Sequence, residues 1–317
     1  VGVELEQGQR VDMAEVPLRR VGVYAPGGRA AYPSTVVMCA ITARTAGVDE
    51  IAVCAPPGPG GRAHPAILAA CVLCEVHEVY RMGGAQAIGA LAYGTHSVPA
   101  VDVIAGPGNA YVQEAKRQVV GKVGVDGIAG PSELVVVAAP GADPELVALD
   151  LLAQAEHGAD SFLALIATDL DLMNDVSAAV ERLAPERPSV ADFALNTAVF
   201  EDVRAALAAA EKLAPEHLEL VGADVEALSG SVRFAGCLFV GQGAGTAFGD
   251  YVAGSNHVLP TGGAARYQSA LSPATFRRRM ARVTLPDGAP GRLAPAGAAV
   301  ARAEGFPVHA ESMERRA

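Results

Sequence analysis

Val21-Gly-Val-Tyr24, then Ser34 to Ala46, then Ile51-Ala-Val-Cys54, then His64 to Cys74, is the stretch that decides the fold. Short β-branched runs alternate with longer helical patterns, the signature of βαβ units in a parallel sheet. The alternation continues through Val79-Tyr-Arg81, Ala85 to Ala92, Val101-Asp-Val-Ile104 and Ala110 to Val120, giving one doubly wound lobe over residues 21–132. A second series starts at Leu134-Val-Val-Val137. It has helical patterns over Pro144 to Glu156 and Asp171 to Leu183, an extended run over Phe162 to Ile166, and a further unit opening at Val199. The predicted fold class is therefore α/β, with a second parallel-sheet lobe over 133–265. Near residue 265 the composition shifts. Arg277-Arg-Arg279, Pro286, Gly288, Pro290 and Pro295 interrupt any sheet pattern, and the alanine-rich Ala294 to Ala303 follows, so 266–317 reads as a small helical extension and 1–20 as the remnant of an N-terminal segment.

Composition narrows the function. At 317 residues and 51% apolar content, the chain can bury a core in each of two lobes. A net charge of −11, with no Lys/Arg-rich stripe, excludes a phosphate-backbone partner, because nucleic-acid affinity is mostly charge neutralisation. No apolar run reaches membrane-spanning length. Glu4, Glu6, Asp12 and Glu15 occupy the region where a signal peptide needs a continuous apolar stretch. A soluble, cytoplasmic protein acting on a small molecule is expected. Of the five cysteines, Cys39, Cys54, Cys71 and Cys74 lie in apolar segments. Cys71-Val-Leu-Cys74 has no second pair to complete a metal site and reads as a buried reduced pair.

Several short constellations carry chemistry. In Leu213-Ala-Pro-Glu-His-Leu-Glu-Leu220, a helical pattern from Glu201 stops at Pro215 and a strand reads from Leu218 to Val221. Glu216 and His217 are thus expected together at an exposed corner, since on a regular strand adjacent side chains would face opposite ways. Gln154 and His157 are three apart at a helix end, so they project from one face and can grip one cation. Gly249-Asp250-Tyr-Val-Ala-Gly-Ser-Asn-His257 offers a carboxylate ligand and a histidine that could equally satisfy a backbone carbonyl; Glu304-Gly-Phe-Pro-Val-His309 lies near the C-terminus. Four glycine-rich turns, Ala25-Pro-Gly-Gly28, Gly83-Gly-Ala-Gln86, Ala105-Gly-Pro-Gly-Asn109 and Ala129-Gly-Pro-Ser132, are expected at strand ends, where open α/β sheets bind ligands. None is a GxGxxG fingerprint. Taken singly, each of these motifs is also compatible with an ordinary solvated turn or surface.

Together, Gln154-x-x-His157, Pro215-Glu-His217, Gly249-Asp-Tyr251 and Glu304-x4-His309 resemble the motif set of the histidinol dehydrogenase family. Gly83-Gly-Ala-Gln86, Gly106-Pro-Gly-Asn109 and Ala129-Gly-Pro-Ser-Glu133 extend the resemblance from about Val21 to His309, in the family's order. It implies a zinc-dependent, NAD-linked oxidation of L-histidinol through L-histidinaldehyde to L-histidine, the last step of histidine biosynthesis. It further implies two incomplete Rossmann-like lobes of aldehyde-dehydrogenase-like architecture, and a homodimer with a C-terminal extension crossing to the partner. Carried over by position, one zinc per subunit would be held by Gln154, His157, Asp250 and His309. Ser132, His217 and Glu304 would join those ligands around the substrate, Glu216 and His217 would handle protons, and Tyr24, Gln86 and Asn109 would contact NAD. Two features depart from the family. The loop Gly241 to Gly249 lacks the Ser-Pro usual before Asp250, and the helical segment usual at the N-terminus is absent ahead of Val1, which would expose apolar surface. Two other readings are a zinc/NAD dehydrogenase of another small polar alcohol, such as a sulfonated diol, and a non-catalytic zinc- and nucleotide-binding fragment. Glu304 favours histidinol, because a carboxylate suits a cationic substrate better than a sulfonate.

Overall fold

The computed structural model describes residues 2–27, 31–190 and 192–317. Gly28, the end of one glycine-rich turn, lies outside the described residues, as does Val1. The chain divides into two compact units: Leu18–Phe276, and a smaller one made from both chain ends, Val1–Pro17 with Arg277–Ala317.

In the smaller unit the chain opens with β1 (Gly2–Glu4) and β2 (Arg10–Pro17), paired antiparallel. The larger unit follows. Its first sheet comprises β3 (Arg20–Tyr24), β4 (Glu50–Cys54), β5 (Glu78–Tyr80), β6 (Val103–Ala105) and β7 (Gly124–Val125), all parallel, in the order β5-β4-β3-β6-β7. Helices cover both faces, so these strands read as nearly continuous apolar runs. Val21, Val23 and Ala25 pack with the helices Pro33–Ala46 and Pro65–Leu73; Tyr24, Cys54 and Ile104 point the other way, against Gly84–Tyr93 and Ala110–Val119. Cys39, Cys54, Cys71 and Cys74 are buried and free, and burial pushes the Cys71 thiol up to about 11, as inert core residues require.

The second sheet repeats the plan with β8 (Glu133–Ala138), β9 (Phe162–Ala167), β10 (Leu195–Val199), β11 (His217–Val221) and β12 (Cys237–Val240), in the order β10-β9-β8-β11-β12. Alternation along β8 sends Leu134, Val136 and Ala138 toward the helices Pro144–Ala155 and Leu170–Leu183, and Val135 and Val137 toward Val203–Leu213. Each of the Leu and Val side chains contributes about 1.5–3 kcal/mol on burial. In both sheets the first strand is central and the winding reverses beside it, which opens a crevice at the carboxyl ends of β3 and β6. The α/β class with two parallel-sheet lobes is as the sequence predicts.

The C-terminal stretch differs from its prediction. Arg277–Thr284 is not part of a helical appendage but a strand, β13, antiparallel to β2 from Arg277 opposite Pro17 to Thr284 opposite Arg10. All eight of its residues are exposed, so it carries no hydrophobic alternation to betray it. Helices Ala289–Ala303 and Pro307–Glu314 then pack on each other through Ala298, Ala301, Ala310 and Met313. Among the described residues, no helix is long and apolar enough to cross a membrane.

Candidate active site

Within the larger unit, one cleft lies where the carboxyl edge of the first sheet meets the amino edge of the second. Pro26, Gly27, Pro107, Gly108 and Asn109 line it from the first lobe; Ser132, His157, Glu216, His217 and Asp250 line it from the second. The turn Ala129 to Ser132 therefore does not close a strand on the carboxyl side, as predicted, but leads into the amino end of β8.

Glu216 and His217 are not at an exposed corner. Glu216 is 7% and His217 2% exposed, and His217 is the first residue of β11, opposite Leu134 on β8 and Cys237 on β12. The corner is buried because main-chain bonds run back past the strand, from Gly236 N to Pro215 O and from Cys237 N to Glu216 O. The turn between helix and strand is taken by Ala214 in a left-handed conformation, φ 48°. Leu218 and Leu220 point into the core beneath Val203–Leu213, so alternation sends His217 to the opposite face, while Glu216, outside the ladder register, is free of that constraint.

Hydrogen bonds set the chemistry of the pair. His217 Nδ1–H donates to the Glu133 carbonyl oxygen at 2.9 Å, which leaves Nε2 as the basic nitrogen, 3.8 Å from Asp250 Oδ1. Burial lowers the His217 pKa and so favours the neutral ring, against an opposing pull from Asp250. Glu216 Oε2 accepts the Glu133 N–H. Burial nevertheless pushes the Glu216 carboxyl up to about 8, with the negative charges of Glu133 and Asp250 adding to the effect. Glu133 is the residue that sequence reasoning left without a role. The only signal was an acid heading an apolar strand inside Gly-Pro-Ser-Glu133.

Gln154 lies in the last turn of the helix Pro144–Ala155 and His157 in the turn just past its end, and Asp250 comes from the short helix Thr246–Tyr251. His157 Nδ1 faces Ser132 Oγ at 3.2 Å and Gln154 Nε2 at 3.4 Å, so Nε2 is the atom toward Asp250 Oδ2, 3.9 Å away. His257 Nδ1–H donates to the Asp250 carbonyl at 3.0 Å and its Nε2 stands 3.4 Å from Thr35 Oγ1, the backbone role open to it from sequence. Among the described residues, no group of three His, Cys, Asp or Glu is placed to hold a metal. By chemical type the imidazole of His157, the carboxylate of Asp250 and the buried amide of Gln154 are donors that suit zinc, with His157 Nε2 and Asp250 Oδ2 3.9 Å apart and the Gln154 amide on the Nδ1 side of the ring.

The remaining predicted residues are dispersed. Asn109 lines the cleft and caps the helix Ala110–Val119 through Oδ1, which accepts Val112 N–H at 3.1 Å. Tyr24 is buried, and its hydroxyl accepts Gly84 N–H at 3.0 Å at the start of Gly84–Tyr93; Gln86 is exposed in that helix's first turn. Among the described residues that line the cleft, neither appears. Glu304 and His309 belong to the smaller unit, where they border a groove with Phe306 and Met313, the Phe306 and His309 rings 5.3 Å apart.

Comparison with known proteins gives one family. The family model for histidinol dehydrogenase matches residues 2–317. A histidinol dehydrogenase from Gluconobacter oxydans is 48% identical over 320 residues, covering 98% of this chain and 74% of the relative. One from Synechococcus sp. is 46% identical over 316 residues, covering 98% and 73%. The crystal structure of histidinol dehydrogenase from Elizabethkingia anophelis is similar at 35% identity and TM-score 0.95, over all of this chain and 74% of that one. An acetylating aldehyde dehydrogenase from Geobacillus thermoglucosidasius shares the fold at 16% identity and TM-score 0.57, over 86% of this chain and 76% of that one.

Proposed function

The chain belongs to the histidinol dehydrogenase family, and from that premise we propose that it oxidises L-histidinol through L-histidinaldehyde to L-histidine, reducing two NAD in succession, as the last step of histidine biosynthesis. The observation that supports this reading best is the buried Glu216-His217 pair, whose two groups are tuned differently beside one carboxylate.

His217 acts first. With Nδ1–H committed to the Glu133 carbonyl, Nε2 accepts the hydroxyl proton of the substrate as hydride leaves its carbinol carbon. Once that proton has passed to solvent through the cleft, the same nitrogen takes the proton of the aldehyde hydrate in the second oxidation. Glu216 serves between these steps. A carboxyl pushed up to about 8 is a far better base than an ordinary carboxylate, and it removes a proton from the water that adds to the aldehyde. Ser132, with Glu304 of the partner subunit and His309 of the partner subunit, completes the substrate contacts in this reading, with Tyr24, Gln86 and Asn109 on the NAD side. Gln154, His157 and Asp250, joined by His309 of the partner subunit, would hold a zinc ion whose chemistry is that of a Lewis acid fixing the substrate's nitrogens. The enzyme is then a homodimer with composite sites.

NADH absorbance recorded with L-histidinol, and in parallel with a sulfonated diol, tests the assignment. Two NADH per histidinol are expected. NADH from the diol alone would establish the alternative substrate, and no NADH from either, with zinc and NAD still bound, would leave a binding protein.

A further inference from the structure

One buried ion pair near the cleft has no place in the proton chemistry. Lys116, from the helix Ala110–Val119, bonds Asp126, which follows β7, with side chains only 2% and 3% exposed. We propose that Lys116 and Asp126 are positioning residues for the dinucleotide: they fix the main chain of Gly106 and thereby the turn Gly106–Asn109. The inference rests on the reading that this turn meets NAD.

The geometry supports a function beyond packing. Desolvating two charges costs several kcal/mol per ion, and an apolar pair of similar volume is often as stable or more so, so a buried ion pair is poorly explained by stability alone. What an apolar pair could not do is hold the main chain on both sides of one residue. Lys116 Nζ donates to the Gly106 carbonyl at 3.0 Å, and Asp126 Oδ2 accepts the Gly106 N–H at 2.7 Å. Gly106 is the first residue after β6, at the crevice beside β3, so its polar groups have left the sheet ladder and are buried. It sits at φ 113°, and a Cβ there would collide with the Tyr24 carbonyl oxygen. A side chain at this point would have no room, and the ion pair holds the main chain on both sides of it.

That path continues into the cofactor side of the cleft. Three residues on, Asn109 begins the helix Ala110–Val119, whose N-terminus offers main-chain N–H groups of the kind that bind anionic phosphate. Gln113, on the same face as Lys116, extends the hold. Its Nε2 donates to the Gly108 carbonyl at 3.4 Å and its Oε1 accepts Ala129 N–H at 3.0 Å, tying the cofactor turn to the turn that presents Ser132.

The test uses the 317-residue chain supplied with zinc, in three variants: Asp126→Asn, the apolar pair Lys116→Met with Asp126→Leu, and Asn109→Ala. NADH affinity is read by fluorescence, kcat and KM for NAD from turnover, and stability from thermal unfolding. The apolar pair leaves the buried Gly106 N–H and carbonyl without these partners, so it should unfold below the wild-type temperature and, assayed while still folded, bind NADH about tenfold more weakly. Its KM for NAD should rise correspondingly, with kcat at saturating NAD within about threefold of wild type. Asp126→Asn keeps an acceptor for Gly106 N–H and should lose less affinity. Wild-type NADH affinity in both Asp126 variants overturns the positioning role. If Asn109→Ala still weakens NADH in that case, the cofactor reading survives; if it too binds normally, that reading falls as well.

Discussion

Glu133 and Glu216 hold each other's main chain: Glu133 Oε2 accepts the Glu216 N–H at 3.0 Å, and Glu216 Oε2 accepts the Glu133 N–H at 2.9 Å. Glu133 Oε1 is committed as well, to Gly262 N–H at 2.9 Å, and its carbonyl fixes the tautomer of His217. Glu133→Gln replaces one acceptor by a donor that must face an N–H. Thermal unfolding should show a loss of about 1–3 kcal/mol, with kcat reduced at unchanged zinc content. Wild-type stability and rate in this variant would show that the reciprocal bonds carry no weight.

The two proton-handling groups should separate kinetically. His217→Asn is expected to slow both oxidations by about 10²–10⁴, the usual contribution of a general base, while zinc remains bound. Glu216→Gln should slow histidinaldehyde oxidation more than the first hydride transfer. Because Glu216 acts in its ionised form with a pKa pushed up to about 8, the aldehyde half-reaction should rise with pH through that value and level off above it, a rise absent in Glu216→Gln. Single-turnover traces started from histidinol and from histidinaldehyde measure this. Equal losses in both halves for both variants would abolish the division of labour.

Gln154→Ala should lower zinc content and raise KM for histidinol together, by about 10–100-fold in metal affinity, since substrate and amide share the metal. Elemental analysis after dialysis, beside chelator-treated wild type re-supplied with zinc, provides the comparison. A full complement of zinc with an unaltered KM would remove Gln154 from the donor set.

Glu219 lies two residues along β11 from His217, buried, and its carboxyl meets that of half-buried Asp150. Burial, then the like charge of Asp150, pushes Glu219 up to about 9. A folded-state pKa above the unfolded value of 4.5 means that the folded chain keeps a proton the unfolded chain gives up, so stability falls as pH rises from about 4.5 toward 9. Glu219→Gln removes that dependence and lets an N–H face Asp150. It should raise stability by roughly 1–3 kcal/mol at pH 8 and change it little at pH 4. Parallel unfolding curves at both pH values would refute the protonated state.

Mixing tests the composite site. His157→Ala and His309→Ala should each be nearly inactive. If His309 reaches the neighbouring site, refolding the two together gives hybrids with one intact site, and random pairing restores roughly a quarter of wild-type activity. Hybrids that form, by native mass spectrometry, yet stay inactive would place His309 in its own subunit's site.

Much of this was legible in the residues, for reasons that differ by element. Leu134-Val-Val-Val137 and Phe162 to Ile166 read as strands because parallel strands covered on both faces leave an apolar run. Gln154 and His157 read as neighbours because helical spacing is local. Burial of Glu216 and His217 was not legible, because it depends on main-chain bonds from Gly236 and Cys237, a separate segment. Glu133 escaped for a similar reason: its importance lies in bonds to Glu216 and Gly262, far along the chain. β13 was lost because backbone pairing to β2 leaves no pattern in a strand whose side chains are all exposed.

The pairing of β2 with β13 also imposes an order on how the chain is built. Arg277 meets Pro17, so at about 5–20 residues per second the ribosome delivers the second partner tens of seconds after the first, roughly 260 residues later. Until then the long edge of β2 that β13 will cover is open, a template for any passing strand. Its charges, Arg10, Asp12 and Glu15 among the eight residues, make that edge a poor target for wrong pairing. Residues 10–17 are thus among the last to find their partner, and the parallel sheets encoded between β2 and β13 have time to close before that pairing forms.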